Sequence, residues 1–374
     1  MLSSITPLFK GGGATGDAGA SLMSSGTQGQ ETKGNIMQKT LVTFALAASL
    51  GLVATAAQAA TLDDVKAKDY VQCGVTGGVP GFSAPDASNV WTGLEVDFCR
   101  ALAAAIFNDA EKVRYTPLTS QERFAALSAG EIDVLSRTTT WTMSRDTDLG
   151  ISFVGTMYYD GQGFMVRAAD GIASALDLSG AAICIESGTT TELNAADYFA
   201  ANSLEFNTVV FVDQDEVVKA YEDGRCDVYT TDGSALAAER SKFAVPGDHI
   251  ILPEIISKEP LGPVVRQGDD QWFKIARWTY YALLEAEELG VTQANVDEML
   301  GSDNPAIKRL LGVEGDFGTP LGLTKDWAYQ VIKLIGNYGE SFDRNVGPST
   351  PIGLERGLNA LWTNGGLQYA PPIR

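Results

Sequence analysis

A nine-residue frame occurs twice in this chain and restricts its fold more than any other feature. Residues 126–134 read ALSAGEIDV and residues 220–228 read AYEDGRCDV, sharing A-x-x-x-G-x-x-D-V. Physically this is the end of a helix, a glycine free to take the left-handed cap conformation, and the start of a strand. The match is short, and two ordinary helix-to-strand turns would also produce it. Both copies run straight into the most polar loops of the chain, however, as two similar α/β lobes would.

The surrounding pattern alternates in the same sense. Residues 70–75 read as a strand, and 94–107 as a helix with Leu94, Val96, Phe98, Leu102 and Ile106 as core positions. A second helix over 121–129 and a strand over 132–136 follow. Such alternation implies an α/β fold with largely parallel sheets. The C-terminal part is richer in helix. Residues 270–288 carry Trp272, Ile275, Trp278 and Leu283 on an amphipathic pattern, and Trp327, Val331, Leu334 and Ile335 line one face of another. Thr350 followed by Pro351 predicts an N-cap and first turn, opening a helix with Leu354, Leu358 and Leu361.

The mature chain is expected to begin near residue 60. Residues 41–57 are uncharged and rich in Leu, Ala, Val and Phe, Lys39 precedes them, and Ala57-Gln58-Ala59 closes them. That is the layout of a secretory signal over 37–59, and the run is short for a membrane span. Residues 1–36 hold glycine and serine runs and cannot bury a core; they read as an extension upstream of the working start at Met37. Their triple glycine is no phosphate loop, because no Gly-Lys-Ser/Thr follows it.

The 374 residues carry 27 Lys and Arg against 47 Asp and Glu, a net charge of −20. Removal of the leader takes three lysines and two acids and leaves the balance more acidic still. A basic face, the electrostatic signature of nucleic-acid binding, is therefore not expected, and the charge suits a soluble, monomeric, exported protein. A chain of this length usually makes about two domains. The cysteines, Cys73, Cys99, Cys184 and Cys226, all follow the signal, and the single histidine is His249. Structural zinc needs ligands at tight spacing, so no metal site and no cofactor are expected. Export favours disulfides. Of the three connectivities, Cys73–Cys99 with Cys184–Cys226 is the expected one, the alternative being buried free thiols.

Three polar loops sit where strands should end, the usual place for a ligand in an open α/β sheet. The first gathers hydroxyls after a strand, with Thr138, Thr140 and then Arg145, which can grip a carboxylate bidentately. A capped turn with a surface arginine would look the same. The second, residues 183–192, sets Thr189 and Glu192 at capping-box spacing, and the N–H groups of such a helix start form an anion site. Ordinary capping explains it equally well. The third places Asp232 at a strand end before a helix starting near Ser234, where a carboxylate can hold an ammonium or merely cap the helix. Together the loops offer anion grips and one cation grip, the complement of an α-amino acid.

These residues resemble the bacterial family 3 periplasmic binding proteins of ABC importers, and within them the general L-amino-acid branch. The resemblance rests on GVTGGVPGFSAPD (74–86), WTGLEVDFCR (91–100), LSRTTTWTMSRD (135–146), YYDGQGF (158–164), GLNALW (357–362) and YAPPIR (369–374), and covers essentially the whole mature chain. It implies a two-lobed periplasmic-binding-protein fold, residues 60–160 with 262–374 forming lobe 1 and 161–261 lobe 2. The crossings are expected near 157–164 and 258–264, with hinge closure on the ligand. It implies Arg145 for the ligand carboxylate, Thr140 and Thr138 as hydroxyl ligands, Thr190 as a backbone donor and Asp232 for the ammonium. The aromatic lid of many relatives falls at Val79, with Phe82 nearby; Trp141 either replaces the lid or is a core tryptophan. The implied partners are free L-amino acids and the membrane permease subunits of an ABC importer with their ATPase. Two rivals carry different tests. A dehydratase on the same fold would consume prephenate or arogenate, but no G-x-S-x-G elbow is present. A soluble amino-acid sensor would engage a chemoreceptor or kinase.

Overall fold

The computed structural model describes residues 60–374; the extension expected over 1–36 and the signal expected over 37–59 lie outside the described residues. In chain order the strands are β1 (Val71–Val75), β2 (Ala84–Pro85), β3 (Trp91–Thr92), β4 (Val113–Pro117), β5 (Val134–Leu135), β6 (Ile151–Phe153) and β7 (Tyr158–Asp160). Then come β8 (Gln162–Arg167), β9 (Ala182–Glu186), β10 (Asn207–Phe211), β11 (Val228–Asp232), β12 (His249–Ile251), β13 (Glu259–Leu261) and β14 (Val264–Arg266). Ten of them make two five-stranded sheets, ordered β4-β1-β5-β14-β6 and β10-β9-β11-β8-β12. Each sheet has three parallel strands followed by two that pair antiparallel. The chain passes from the first sheet to the second through β7 and back through β13. Those two strands pair with each other, Tyr159 opposite Pro260.

The repeated frame is the device that sets β5 and β11 into these sheets. Helix α3 (Arg123–Ala129) ends at Gly130 with φ +77°, and α6 (Gln214–Glu222) is followed by Gly224 with φ +75°. In both copies the alanine is buried and its carbonyl accepts an N–H five residues on, from Glu131 at 3.0 Å and from Arg225 at 2.9 Å. That is the Schellman closure, which needs a residue at positive φ. The aspartate then reaches the head of the neighbouring central strand. Asp133 accepts from Gln72 N at 2.7 Å and Asp227 from Ala182 N at 2.8 Å.

In the first sheet's lobe, α1 (Thr61–Lys68) and α2 (Leu94–Phe107) pack with α8 (Asp270–Glu288). Helix α2 has alanine at 101 and 103–105, all buried, so backbones can approach closely. Trp272 of α8 is fully buried, and its indole N–H donates to Asp133 O at 2.9 Å, which satisfies the one polar atom it carries inward. Beyond α8 come α9 (Val296–Met299), α10 (Pro305–Leu310), α11 (Trp327–Ile335) and α12 (Tyr338–Asn345). The last is fastened to α2 by buried Asp97, which accepts from Ser341, Arg344 and Asn345.

Two local expectations are corrected. Thr350-Pro351 opens no α-helix: the Thr350 hydroxyl turns back to Gly347 O, Gly353 and Gly357 adopt positive φ, and short 3₁₀ turns carry Leu358 and Trp362. Nor does the Thr189–Glu192 capping box form, because the Thr189 hydroxyl donates to Glu186 O at 2.7 Å. A capping box does form on α12, between Asn337 and Glu340. The cysteines pair as Cys73–Cys99 and Cys184–Cys226, with Cα separations of 6.3 and 5.6 Å. No described helix is long and apolar enough to cross a membrane.

Candidate functional site

The ends of β5, β9 and β11 converge on one cavity. Its wall carries Ser120, Arg123, Arg137 and Thr138 from the first lobe, and Glu186, Thr190 and Asp232 from the second. The lobes meet directly around it. Thr140 Oγ1 lies 3.4 Å from Thr190 Oγ1, Gln121 donates to Ser187 at 2.8 Å, and Arg137 lies 3.4 Å from Glu186.

The first-lobe loop is held rigidly. Thr138 sits at φ +30°, an unusual conformation for a threonine. Its N–H donates to the buried Glu95 carboxylate, which also accepts from Ser83. Burial raises the Glu95 carboxyl above its usual range, opposed by those hydrogen bonds. Thr140 is buried and bridges to Leu261. Arg145 lies in α4 (Met143–Asp148), whose N-cap Thr142 accepts the Arg145 N–H; its guanidinium donates to Thr140 O at 2.9 Å. Burial lowers its pKa, while Glu259 and Asp232 act in the opposite sense. The Arg145 charge therefore feels the carboxylate across the cleft.

The second lobe presents the opening turn of α5 (Thr190–Ala201) and the end of β11. Helix α5 starts without a side-chain cap, so its first N–H groups are left to the cavity side. Asp232 is 9% exposed. Burial raises its pKa well above the carboxylate range, and the Asp160 and Glu259 carboxylates raise it further. Asp160, held by the N–H groups of Gly161 and Ser234, is pushed up to about 6, chiefly by burial. Two neighbouring carboxyls that resist joint ionisation form a natural receptor for a cation.

Sequence reasoning missed Arg123 and Ser120. Arg123 is 2% exposed, its Nε is buried without a partner, and burial lowers its pKa well below normal, with Arg137 and Arg145 adding to the effect. Ser120 Oγ is likewise buried and unpartnered. A signal existed: Arg123 lies three and four residues before Ala126 and Leu127, both buried, so a cation sits on the apolar stripe of α3.

A family description, "Bacterial extracellular solute-binding proteins, family 3", matches residues 71–294. The "General L-amino acid-binding periplasmic protein AapJ" of Rhizobium johnstonii is 62% identical over 341 residues, covering 90% of this chain and all of the relative. This chain belongs to that solute-binding family. The "Glutamate/glutamine/aspartate/asparagine-binding protein BztA" of Rhodobacter capsulatus is 54% identical, over 88% of this chain and 98% of its own length. A solved periplasmic binding protein from Brucella ovis "with glutathione bound" superposes with a TM-score of 0.83 at 59% identity, covering 84% of this chain and 100% of the other.

Within this solute-binding protein the two aromatic expectations place poorly. Phe82 is fully buried and packs edge-on against Tyr158 at 5.5 Å, as core. Trp141 stacks on Phe153 at 5.2 Å, which turns its ring toward β6 instead of the cavity. Neither lines the cavity, whereas Val79 does. His249 pairs with Tyr221, away from this cavity.

Proposed function

We propose that this chain is the periplasmic substrate-binding component of an amino-acid ABC importer, capturing free L-amino acids between its lobes and presenting them to the membrane permease and its ATPase. One observation carries the reading: Arg123 of the first lobe and Asp232 of the second line a single cavity, and Arg145, just outside its wall, is close enough for the Asp232 carboxyl to act on its guanidinium. An α-amino acid presents a carboxylate and an ammonium on one carbon, so such a ligand answers both sides. Arg145 and the start of α5 take the carboxylate, Thr138 and Thr140 add hydroxyl contacts, and Asp232 with Asp160 takes the ammonium. Ser120 and Arg123 receive the side chain.

The lobes are residues 60–160 with 262–374, and 161–261, and they hinge at β7 and β13. The protein works as a monomer and does no chemistry on its cargo. Export is cotranslational or post-translational through a cleaved leader, and the site needs no cofactor. The experiment is a thermal-shift screen of the purified protein against the common L-amino acids, with prephenate and arogenate as competing probes. A ligand at 100 times its dissociation constant adds about 2.7 kcal/mol. Stabilisation by several L-amino acids is expected. A response to sugars or metals alone, or turnover of prephenate, would overturn the reading.

A further inference from the structure

A second, larger cavity opens beside the first, and no contact proposed above uses it. It measures about 150 Å³ against about 30 Å³ for the inner one. The two share Val79, Arg137, Glu186 and Gln214 as wall, so they are chambers of one cleft separated by the Arg137–Glu186 pair. That pair is only loosely closed, at 3.4 Å.

The chambers differ in charge balance. The inner one sets Arg123 and Arg137 against Glu186 and Asp232, and the unpartnered Ser120 Oγ and Arg123 Nε lie buried at its wall. Beyond the shared Arg137 and Glu186, the outer one has only acidic charged residues, Glu122, Asp213 and Asp215. Asp213 is occupied, accepting the N–H groups of Asp215 and Glu216 as the cap of α6. Glu122 accepts only from Thr119, and the Asp215 carboxylate accepts no hydrogen bond among the described residues. The floor is Gly77-Gly78, neither of which has a positive φ, and the Gly78 carbonyl accepts from the Lys242 ammonium at 3.3 Å. A Cβ on Gly77 would meet nothing within 4 Å, and one on Gly78 only Asp215 Oδ1 at 3.9 Å. What the pair of glycines provides is space.

We propose that the outer chamber is a separate side-chain subsite for amino acids whose long side chain ends in a cation, with Glu122 and Asp215 as its counter-charges and Gly77-Gly78 as its floor. The inference rests on the amino-acid reading of the inner site. A short acidic or amide side chain ends at Ser120 and Arg123. A longer one passes Arg137, and a terminal ammonium or guanidinium reaches the carboxylates beyond it. One main-chain grip thereby serves two side-chain destinations, one balanced in charge and one acidic.

The test is calorimetric titration of the purified protein with L-glutamate and with L-arginine, in the wild type, in Gly77→Leu and in Glu122→Gln/Asp215→Asn. The leucine fills the chamber; the double variant keeps its shape and removes its charge. Arginine affinity should fall about tenfold or more in each, since each exposed ion pair contributes up to several-fold, while glutamate affinity stays within about twofold. High salt should weaken arginine more than glutamate, because the outer charges face water. Arginine binding that is unchanged in both variants overturns the proposal, as does an equal loss for both ligands, which would place these residues in lobe closure. A wild type that binds glutamate but not arginine also overturns it and leaves the proposed function standing. A wild type that binds no amino acid removes the proposed function itself.

Discussion

The two lobes share a frame and differ in what they hang on it. In each, a central strand (β1 or β9) is flanked by a parallel neighbour and by the strand that follows the repeated frame, and an antiparallel strand continues the sheet. The frame's alanine, glycine and aspartate do the same work twice. The residues just beyond it do opposite work: β5 leads into Arg137 and Arg145, while β11 ends on Asp232. On the proposed reading, duplication of scaffold with inversion of charge makes a binding site to which both lobes contribute.

The largest expected effect breaks that complementarity from either side. Arg145→Ala removes a cation from the first lobe, and Asp232→Asn removes the second lobe's charge without changing shape. Truncating one partner of a buried charge pair costs about 2–5 kcal/mol, or roughly 30- to several-thousand-fold in affinity. Calorimetry should show the loss for every amino acid alike, and melting without ligand should not fall in Asp232→Asn, whose wild-type carboxylate is poorly compensated. Lysine at position 145 should rescue only in part, since an ammonium lacks the planar fork. Near-normal binding in either variant would sink the site assignment.

The disulfides sharpen the comparison at the level of folding. Cys73–Cys99 ties β1 to α2 inside the large core that α8, α11 and α12 extend. Cys184–Cys226 ties β9 to the frame before β11, in a lobe whose buried clusters are much smaller, and spans 42 residues against 26. Each should contribute about 2–4 kcal/mol. The loss should be felt more in the second lobe, which has less apolar burial to fall back on. Reduction followed by hydrogen exchange should expose β8–β12 first; earlier opening of β1 and β4 would reverse the ranking.

How far the sequence carried depended on whether a feature was local. The frame, the bounds of α2 and α8 and the strand at β1 were legible, because periodicity and caps are written in neighbouring residues. Thr350-Pro351 misled because Gly353 and Gly357, a few residues on, favour positive φ and defeat the helix. Thr189 has the cap's residue type, yet its hydroxyl found a nearer carbonyl at Glu186. Arg123 was passed over because its importance is non-local: only folding places it beside Arg137 and Arg145. The pairing of Asn359 with Tyr159 is likewise invisible in sequence. Its side-chain amide accepts from Tyr159 N at 2.7 Å and donates to Tyr159 O at 3.1 Å, fastening the C-terminal segment to a hinge strand 200 residues away.

A smaller effect compares the two copies of the frame directly. Asp133 is buried and also holds the Lys68 ammonium, whereas Asp227 is exposed and accepts from Ala182 N. Asp133→Ala leaves a strand N–H and a half-shielded ammonium without their acceptor, at a cost of about 2 kcal/mol. Asp227→Ala leaves the Ala182 N–H to water and should cost about 0.5 kcal/mol. Urea midpoints should separate the variants in that order. Equal losses would mean that the frame, not its burial, sets the energy.

The smallest effect is a pH dependence that runs in opposite directions with and without ligand. The carboxyls of Asp160 and Asp232 are raised chiefly by burial; the Glu259 carboxylate raises both and Asp160 raises Asp232, with Asp160 pushed to about 6 from 3.8. A carboxyl whose folded pKa exceeds its unfolded value favours the fold while protonated. Its stabilisation is therefore present below about pH 4 and lost as pH rises through 6. An ammonium ligand reverses the sign, because it needs the ionised pair and must displace the proton. Affinity should thus rise about tenfold between pH 5 and 7, a window in which neither main-chain group of the ligand titrates. Of the groups facing the pair, Arg145 and Arg123 stay charged and Tyr158 stays neutral, since burial pushes its hydroxyl further up. Glu239 is also pushed up, to about 7, by burial against Lys242; Glu239→Gln should leave the slope in place, and Asp160→Asn should flatten it. A slope that follows Glu239 instead would assign the pH response to α7 (Gly233–Arg240) and not to the cation receptor at the hinge.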